Sequence, residues 1–364
     1  MPTQTPSDGA ARPEALDLLK QGIAIPASPL ALTPDRKHDP AAQRTLYRYY
    51  AAAGAGGIAV GVHTTQFEIR DPEVALFEPV LEFAAQELRR LEQEHQRVIV
   101  RVAGVCGDTP QAIAEAALSR SLGYDAVLLS LAAMKDASVD ELISHCQAVG
   151  EVMPLIGFYL QPAVGGRALP YEFWRRFAAL PSVVAIKMAP FNRYQTIDVM
   201  RGVADSGRAH EVTLYTGNDD NILVDLLTPY TFPTNDGGEI TLRIRGGLLG
   251  QFCVWTKTAV EILHEIHQLV DSGRPVPVEW LRKNVALTDA NAVIFDVAHN
   301  FAGCIPGIHE VLHRQGLMLN ILCLNPDETL SPGQGEELDR ICRSYPFLTD
   351  DVFVAAHLAE WQQD

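Results

Sequence analysis

The stretch "SVVAIKMAP", Ser182 to Pro190, places a lysine at the end of an apolar run. A charged ammonium inside an apolar strand is costly unless something uses it. Lys187 therefore has two readings. As a desolvated amine with a lowered pKa, it attacks a ketone and forms a Schiff base. As a plain strand-end lysine, it lets its head escape to solvent along an apolar stem. The chain has six lysines (Lys20, Lys37, Lys135, Lys187, Lys257 and Lys283), and only Lys187 lies near the end of a strongly apolar strand. Position alone does not separate the two readings.

Three further segments carry groups that such chemistry needs. Tyr159 ends "LIGFYLQP", one strand before Lys187. A phenol there can pass a proton to or from a carbinolamine. The plainer reading is a core tyrosine with a tied hydroxyl. In "GVHTTQFE" (Gly61 to Glu68), Thr64 and Thr65 offer hydroxyls and adjacent backbone N–H groups for a carboxylate, with His63, Gln66 and Glu68 beside them. Without a ligand this is simply a polar loop. In "YTGNDDN" (Tyr215 to Asn221), Asp219 and Asp220 can bind polyol hydroxyls or serve as acidic first-turn residues of the next helix.

These groups act together only if the fold brings the ends of different strands to one place. Short apolar runs at 22–32, 56–62, 97–104, 124–131, 154–160, 182–188, 212–217 and 246–252 predict eight strands. Each run is nearly continuous, as expected when both faces are covered. Segments of helical period lie between them, at 40–53, 73–95, 109–122, 138–150, 170–179, 193–205 and 218–227. Eight such units predict a (β/α)8 TIM barrel, with a doubly wound open sheet as the alternative. The expected domains are a flexible tail over 1–21, a barrel over 22–272 and a C-terminal helical region over 273–364. That last region carries helices near 277–302, 307–315, 334–344 and 350–362. Residues 228–245, around Asn235-Asp236-Gly237-Gly238, predict a β-hairpin at the N-terminal face of the barrel. Arg243 and Arg245 are then surface or interface residues.

Composition narrows the function classes. The chain is 47% hydrophobic and 20% charged, enough for a sizeable core. A formal net charge of -16 repels phosphate backbones and anionic membranes, so neither nucleic acid nor a membrane is an expected partner. The opening residues have no apolar core of signal-peptide type, and the six cysteines form no CxxC pair. Reduced thiols and a cytoplasmic location are expected. "HEVLH" (His309 to His313) fits a zinc-protease pattern but lacks a clear third ligand. "GAGGIAVG" (54–61) runs helix to strand, the reverse of a dinucleotide fingerprint. "HEIHQ" (His264 to Gln268) reads as a solvated helix face. No metal or cofactor is expected.

Taken in chain order, these segments resemble the dihydrodipicolinate synthase / N-acetylneuraminate lyase family, class I enzymes that form a Schiff base on a (β/α)8 barrel with a C-terminal helical region. "IPASPLALTPD" is similar to the family's opening strand, "VGVHTTQFE" to its Gly-Thr-Thr-Gly-Glu loop, and "IGFYLQPAVGG" to its tyrosine-bearing fifth strand. "VVAIKMA" resembles the Schiff-base lysine strand, "LYTGNDD" the Ser-Gly-Asp-Asp segment, and "GIHEVLHRQGL" a tail segment, which accounts for the zinc-protease match. The resemblance spans about residues 22–345. It implies Lys187 as nucleophile, Tyr159 as proton-transfer residue, and Thr64 and Thr65 as holders of a 2-keto acid carboxylate. Gly217, Asp219 and Asp220 match positions that hold a sugar-like tail in the lyase branch.

The departures also inform. The synthase branch has a tyrosine pair where this chain has Ala133 and Met134, and an arginine where it has Val164, with Arg167 three residues on. His63 precedes the threonines, and Gln66-Phe67 replaces a single glycine. These differences argue against a true dihydrodipicolinate synthase and for a divergent lyase with a more apolar pocket near Met134. The expected activity is a class I aldolase or lyase acting on a pyruvate-type 2-keto acid. No metal is needed because the iminium replaces a Lewis acid, and His63 is a candidate extra acid or base. The alternatives are a keto-deoxy sugar acid dehydratase using the same Schiff base and a catalytically inactive sensor. A homo-oligomer, dimer or tetramer, is expected from the resemblance.

Overall fold

Runs of apolar residues with no polar face have to be covered on both sides, and here helices cover one side and the barrel interior the other. The structure, a computed structural model, describes residues 11–234 and 237–363. It opens with α1 (Pro13–Gln21), β1 (Ala24–Pro26), α2 (Pro40–Ala53), β2 (Gly57–Val60) and α3 (Phe77–His95). Then come β3 (Val100–Val105), α4 (Thr109–Ser121), β4 (Ala126–Leu129), α5 (Val139–Gly150), β5 (Leu155–Leu160) and α6 (Tyr171–Ala178). The chain continues through β6 (Val183–Ala189), α7 (Arg193–Ala204), β7 (Thr213–Thr216), α8 (Ile222–Leu227), β8 (Tyr230–Pro233) and β9 (Glu239–Leu242). It ends with β10 (Ile244–Leu249), α9 (Thr256–Asp271), α10 (Glu279–Ile294), α11 (Cys304–Arg314), α12 (Gln334–Ser344) and α13 (Asp351–Trp361).

Eight strands pair in parallel in the order β1-β10-β7-β6-β5-β4-β3-β2. A bridge from Ala27 to Ala59 joins the two ends of that order. An open sheet would leave two edges; this ring closes into a (β/α)8 barrel. Several helices start at the residues that end the preceding loop. Asp39, Asp108, Ser138 and Asn192 each accept backbone N–H groups of the first turn, a contribution of about 1 kcal/mol per cap. Such caps start a helix abruptly, and the loops that Asp108 and Asn192 close, after β3 and β6, are only three residues long.

The expected flexible tail is corrected by α1. Ala15 and Leu19 are fully buried, and the helix packs against β3, β6 and β10, across the N-terminal end of the barrel. Arg12 pairs with Asp125 at 2.8 Å and Glu92 at 2.7 Å, and the Tyr215 hydroxyl donates to Leu19 O at 2.7 Å. Ala15, Leu18 and Leu19 form a short apolar face, and the barrel floor supplies the partner that buries it. Residues 1–10 lie outside the described residues.

The hairpin is present, with Tyr230 opposite Leu242 and Pro233 opposite Glu239. The expected turn residues Asn235 and Asp236 lie outside the described residues. The hairpin packs on α7, Arg243 donates to Leu227 O at 3.1 Å, and Arg245 is exposed. The helix expected over 277–302 ends earlier, at Ile294. Asp296, Asn300 and Phe301 take left-handed backbone angles, φ 56°, 53° and 68°, which no α-helix admits. Asp296 holds this corner by accepting from Gly303 N at 2.8 Å and from the Ser331 hydroxyl at 2.5 Å. The corner lowers Phe295 and Phe301 onto the barrel mouth.

Candidate active site

At the C-terminal mouth lies a small cavity, bordered by Lys187. This is where strand ends converge in a parallel barrel. Lys187 is 8% exposed, and its Nζ sits 4.3 Å from the centre of the Phe158 ring. Among the described residues no carboxylate lies within ion-pair distance of it. Burial pushes its pKa down to about 8, against the opposing pull of Asp219 and then of Cys253. The head does not escape to solvent, which counts against the plain strand-end reading.

Gly217, at the end of β7, makes room for this side chain. A Cβ there would meet Lys187 Cε at 2.7 Å and Ala189 Cβ at 2.9 Å. Gly217→Ala is expected to displace the amine by a few tenths of an ångström or more. Turnover should fall about a hundredfold, with stability reduced by only about 1–3 kcal/mol. Steady-state rates beside a thermal melt would check this; unchanged turnover would mean the amine is not held by this contact.

Tyr159 is not at the site, a correction to the expectation. Side chains of a strand alternate between faces, so a shift of one residue exchanges them. Phe158 pairs with Lys187 across β5 and β6, and Tyr159 pairs with Met188. Phe158 therefore faces the cavity while Tyr159 faces the helix layer, fully buried, with its ring 5.2 Å from that of Trp174. Its hydroxyl accepts from Leu169 N at 3.2 Å and donates to Leu169 O at 3.4 Å. Burial raises the phenol pKa further. Tyr159→Phe should cost about 1–2 kcal/mol through the unpaired Leu169 groups. It should change kcat less than tenfold, where loss of a proton-transfer residue costs about 10²–10⁴-fold. A melt and an activity measurement on one preparation separate these outcomes.

The threonine loop is brought to the mouth in part. His63–Thr65 forms a 3-10 turn after β2. His63 and Thr64 line the cavity, and Thr65 does not. The Thr65 hydroxyl donates to Ser28 O at 2.8 Å and accepts from Gly61 N at 3.0 Å, so it holds the turn rather than a ligand. Thr64 Oγ1 donates to Ala27 O, leaving its lone pairs and the unbonded N–H groups at the start of the turn. Burial, and then the nearby Lys187, push the His63 imidazole down to about 4, so it is neutral at physiological pH.

The β7–α8 loop separates its two aspartates. Asp219 lines the cavity and its Oδ1 is buried without a hydrogen-bond partner. Burial pushes its carboxyl up to about 7, against the pull of Lys187. Asp220 is exposed and does not line the cavity; its backbone carbonyl accepts from Thr288 at 2.8 Å. The loop is fixed from beneath by Asp225, fully buried on α8, whose carboxylate accepts from Thr216 at 2.7 Å, Asn218 at 2.9 Å and Arg193 at 2.5 Å. These bonds pull residues 218–221 out of the helix expected from 218. Nothing in a single sequence marks Asp225 as more than one acid on a helix.

The remaining wall is apolar: Phe158, Leu160, Val164, Phe191, Phe301 and Ile308. Its last two members come from the C-terminal region, with Phe301 and Phe191 rings 6.0 Å apart. The more apolar pocket was expected near Met134, but Met134 does not line it. Instead Arg167 donates to the carbonyls of Met134 and Ala137, tying the loops after β4 and β5 together. Gln161 and Cys304 also border the cavity. No motif pointed to either of them, nor to Phe301. In "HEVLH", His309 is buried against Ile321 O, His313 faces Met318 O at 3.0 Å and Glu310 pairs with Arg314 at 2.7 Å. Each of the three side chains has a structural contact, with His309 Nε2 buried and unpartnered. No described helix is long and apolar enough to cross a membrane.

A sequence model of the dihydrodipicolinate synthetase family matches residues 31–229. No curated protein sequence matches the chain. Among solved structures, dihydrodipicolinate synthase from Oceanobacillus iheyensis is similar with TM-score 0.69 and 16% identity, over 91% of this chain and 99% of that one. YagE, a prophage protein from E. coli K12 of the dihydrodipicolinic acid synthase family, solved in complex with pyruvate, also has TM-score 0.69 and 16% identity, over 90% and 99%. CdNal from Clostridium difficile, in complex with mannosamine, has the same TM-score and identity, over 89% and 99%.

Proposed function

The chain belongs to the dihydrodipicolinate synthetase family, and from that premise we propose that it is a class I lyase that forms a Schiff base between Lys187 and a 2-keto acid with an apolar far end. The observation that carries this reading is the buried, unpaired amine of Lys187 at the floor of the mouth cavity. Neutral Lys187 attacks the C2 ketone. The resulting iminium is an electron sink that stabilises the enamine formed when C3–C4 breaks. The substrate carboxylate lies against Thr64 and the open N–H groups of its turn, where His63, held neutral, adds no competing charge.

The tail of the substrate meets Phe158, Leu160, Phe191, Phe301 and Ile308. Along that stretch of wall a polyol chain meets carbon rather than hydrogen-bonding groups, and Asp220 does not line it. That disfavours the keto-deoxy sugar acid dehydratase, and the unpaired amine disfavours a sensor without catalysis. Borohydride reduction in the presence of pyruvate, read by intact mass, tests the reading. One covalent adduct per chain, absent from Lys187→Met, is expected. Absence of an adduct with pyruvate and with aryl- and alkyl-substituted 2-keto acids would overturn it. Product analysis then distinguishes cleavage to pyruvate and an aldehyde from dehydration.

A further inference from the structure

Schiff-base formation moves protons, and the residue expected to move them points away. A lysine ammonium and a ketone become an iminium and water. Two protons leave nitrogen and both end on the departing oxygen. The group that carries them has to reach the carbinolamine, so it has to line the cavity beside Lys187. Besides Lys187, the polar side chains there are His63, Thr64, Gln161, Asp219 and Cys304. Gln161 does not titrate. The Thr64 hydroxyl donates to Ala27 O. The Cys304 thiol is pushed far up by burial and by Asp219, and the His63 imidazole far down. Neither exchanges protons readily near neutrality.

Asp219 differs from all of these. Its Oδ1 is buried with no hydrogen-bond partner, an unusual state for a carboxylate oxygen and one that a substrate hydroxyl would relieve. It is close enough to Lys187 for each to move the other's ionisation, yet the two form no ion pair. Both side chains border the same cavity, so a substrate oxygen bound there can reach each of them. The groups facing Asp219 are Lys187 from β6, Asp220 on its own loop, the Gln251 N–H and Cys253 after β10, and Cys304 on α11.

We propose that Asp219 is the proton-transfer residue of the Lys187 cycle, acting directly on the carbinolamine oxygen in place of the displaced tyrosine. This rests on the Schiff-base reading above. The Asp219 carboxylate takes a proton from the Lys187 ammonium, and the freed amine attacks C2. The carboxylic acid returns that proton to the ketone oxygen as the C–N bond forms. A second transfer, from the carbinolamine nitrogen through Asp219 to the hydroxyl, lets the C–O bond break and water leave. The carboxylate then takes the C4 hydroxyl proton as the C3–C4 electrons enter the enamine and the aldehyde departs. The Asp219 acid gives that proton to C3 of the enamine, restoring the iminium; readdition of water then reverses the first steps, and Asp219 ends as a carboxylate with Lys187 an ammonium. Its carboxyl, held near 7 by burial, suits both halves of the exchange at neutral pH.

The test uses pyruvate as probe. The rate of the borohydride-trapped adduct and the exchange of pyruvate C3 protons in D2O, followed by NMR, are measured for the full chain and for Asp219→Asn. Both rates should fall by about 10²–10⁴-fold in the variant. The acid limb of the trapping rate should move to lower pH, because Lys187 loses the anion that favours its charged form; a purely structural defect would not move that limb so. Added formate should recover exchange in Asp219→Ala in a dose-dependent way. Exchange in Asp219→Asn within threefold of the parent chain would overturn the proposal. If that variant fails to fold, absence of formate recovery in Asp219→Ala would overturn it instead. Failure of the parent chain to form any adduct sinks the Schiff-base reading itself, so the two failures are distinguishable.

Discussion

Lys187→Met should abolish turnover while making the protein harder to melt at neutral pH. The loss of turnover should be about four to six orders of magnitude, as when a covalent nucleophile is removed and only binding remains. The gain in stability follows from linkage. Burial lowers the Lys187 pKa from 10.5 to about 8. Below about pH 8 the folded protein must hold a buried ammonium that the unfolded chain solvates freely, so Lys187 lowers stability there. That penalty fades as pH rises from about 8 towards 10.5. Methionine has nearly the same shape and no charge, and Asp219, no longer beside a cation, stays protonated at neutral pH. Lys187→Met should therefore be about 1–3 kcal/mol more stable at pH 7, and the difference should shrink at pH 10. In the active protein the same shift leaves about a tenth of the amine neutral at pH 7. That is far more than an ordinary lysine would offer, and turnover should rise with pH to a plateau above about 8. Thermal melts at the two pH values and a pH–rate profile check both halves. A lower melting temperature for Lys187→Met at pH 7 would mean that the amine is solvated after all.

Asp225→Ala should have the largest effect on stability and should damage the site from below. The carboxylate is fully buried and accepts from Thr216, Asn218 and Arg193, with Asn221 and Tyr230 at 3.3 and 3.4 Å. Removing it leaves a guanidinium and several buried donors without an acceptor. The expected cost is about 3–5 kcal/mol. Urea unfolding should give a lower midpoint with an unchanged slope. Activity should also fall in the part that stays folded, because the loop from Gly217 to Asn221 is shaped by these bonds. Asp225→Asn keeps one acceptor oxygen and should retain part of both properties. A cost below about 1 kcal/mol for Asp225→Ala would show that the loop holds itself.

Much of the architecture could be read before any coordinates. Each strand announced itself as an apolar run, because a strand covered on both faces has no polar positions to hide it. The helices between them declared themselves through their helical period. The lysine was legible because an ammonium is conspicuous in "VVAIKMA". The tyrosine misled for the opposite reason. "GFYLQP" fixes that a large aromatic faces the cavity but not which one, and a single-residue difference in register gives Phe158 the cavity and Tyr159 the helix layer. Asp219 and Asp220 part for a similar reason, since neighbours in sequence on a tight loop point to different environments.

The sequence by itself determined the type of fold, the order of its units and the residue with the most conspicuous chemistry. Those depend on local patterning and on the high cost of burying a charge. Only the tertiary structure decided which groups accompany Lys187. Parity along β5 withdrew Tyr159, and a buried carboxylate on α8 positioned Asp219. A left-handed corner at 296–301 lowered Phe301 onto the mouth from more than a hundred residues away. The environment of a side chain is set by atoms distant in the chain, and desolvation, which tunes both Lys187 and Asp219, exists only once those atoms have closed around it.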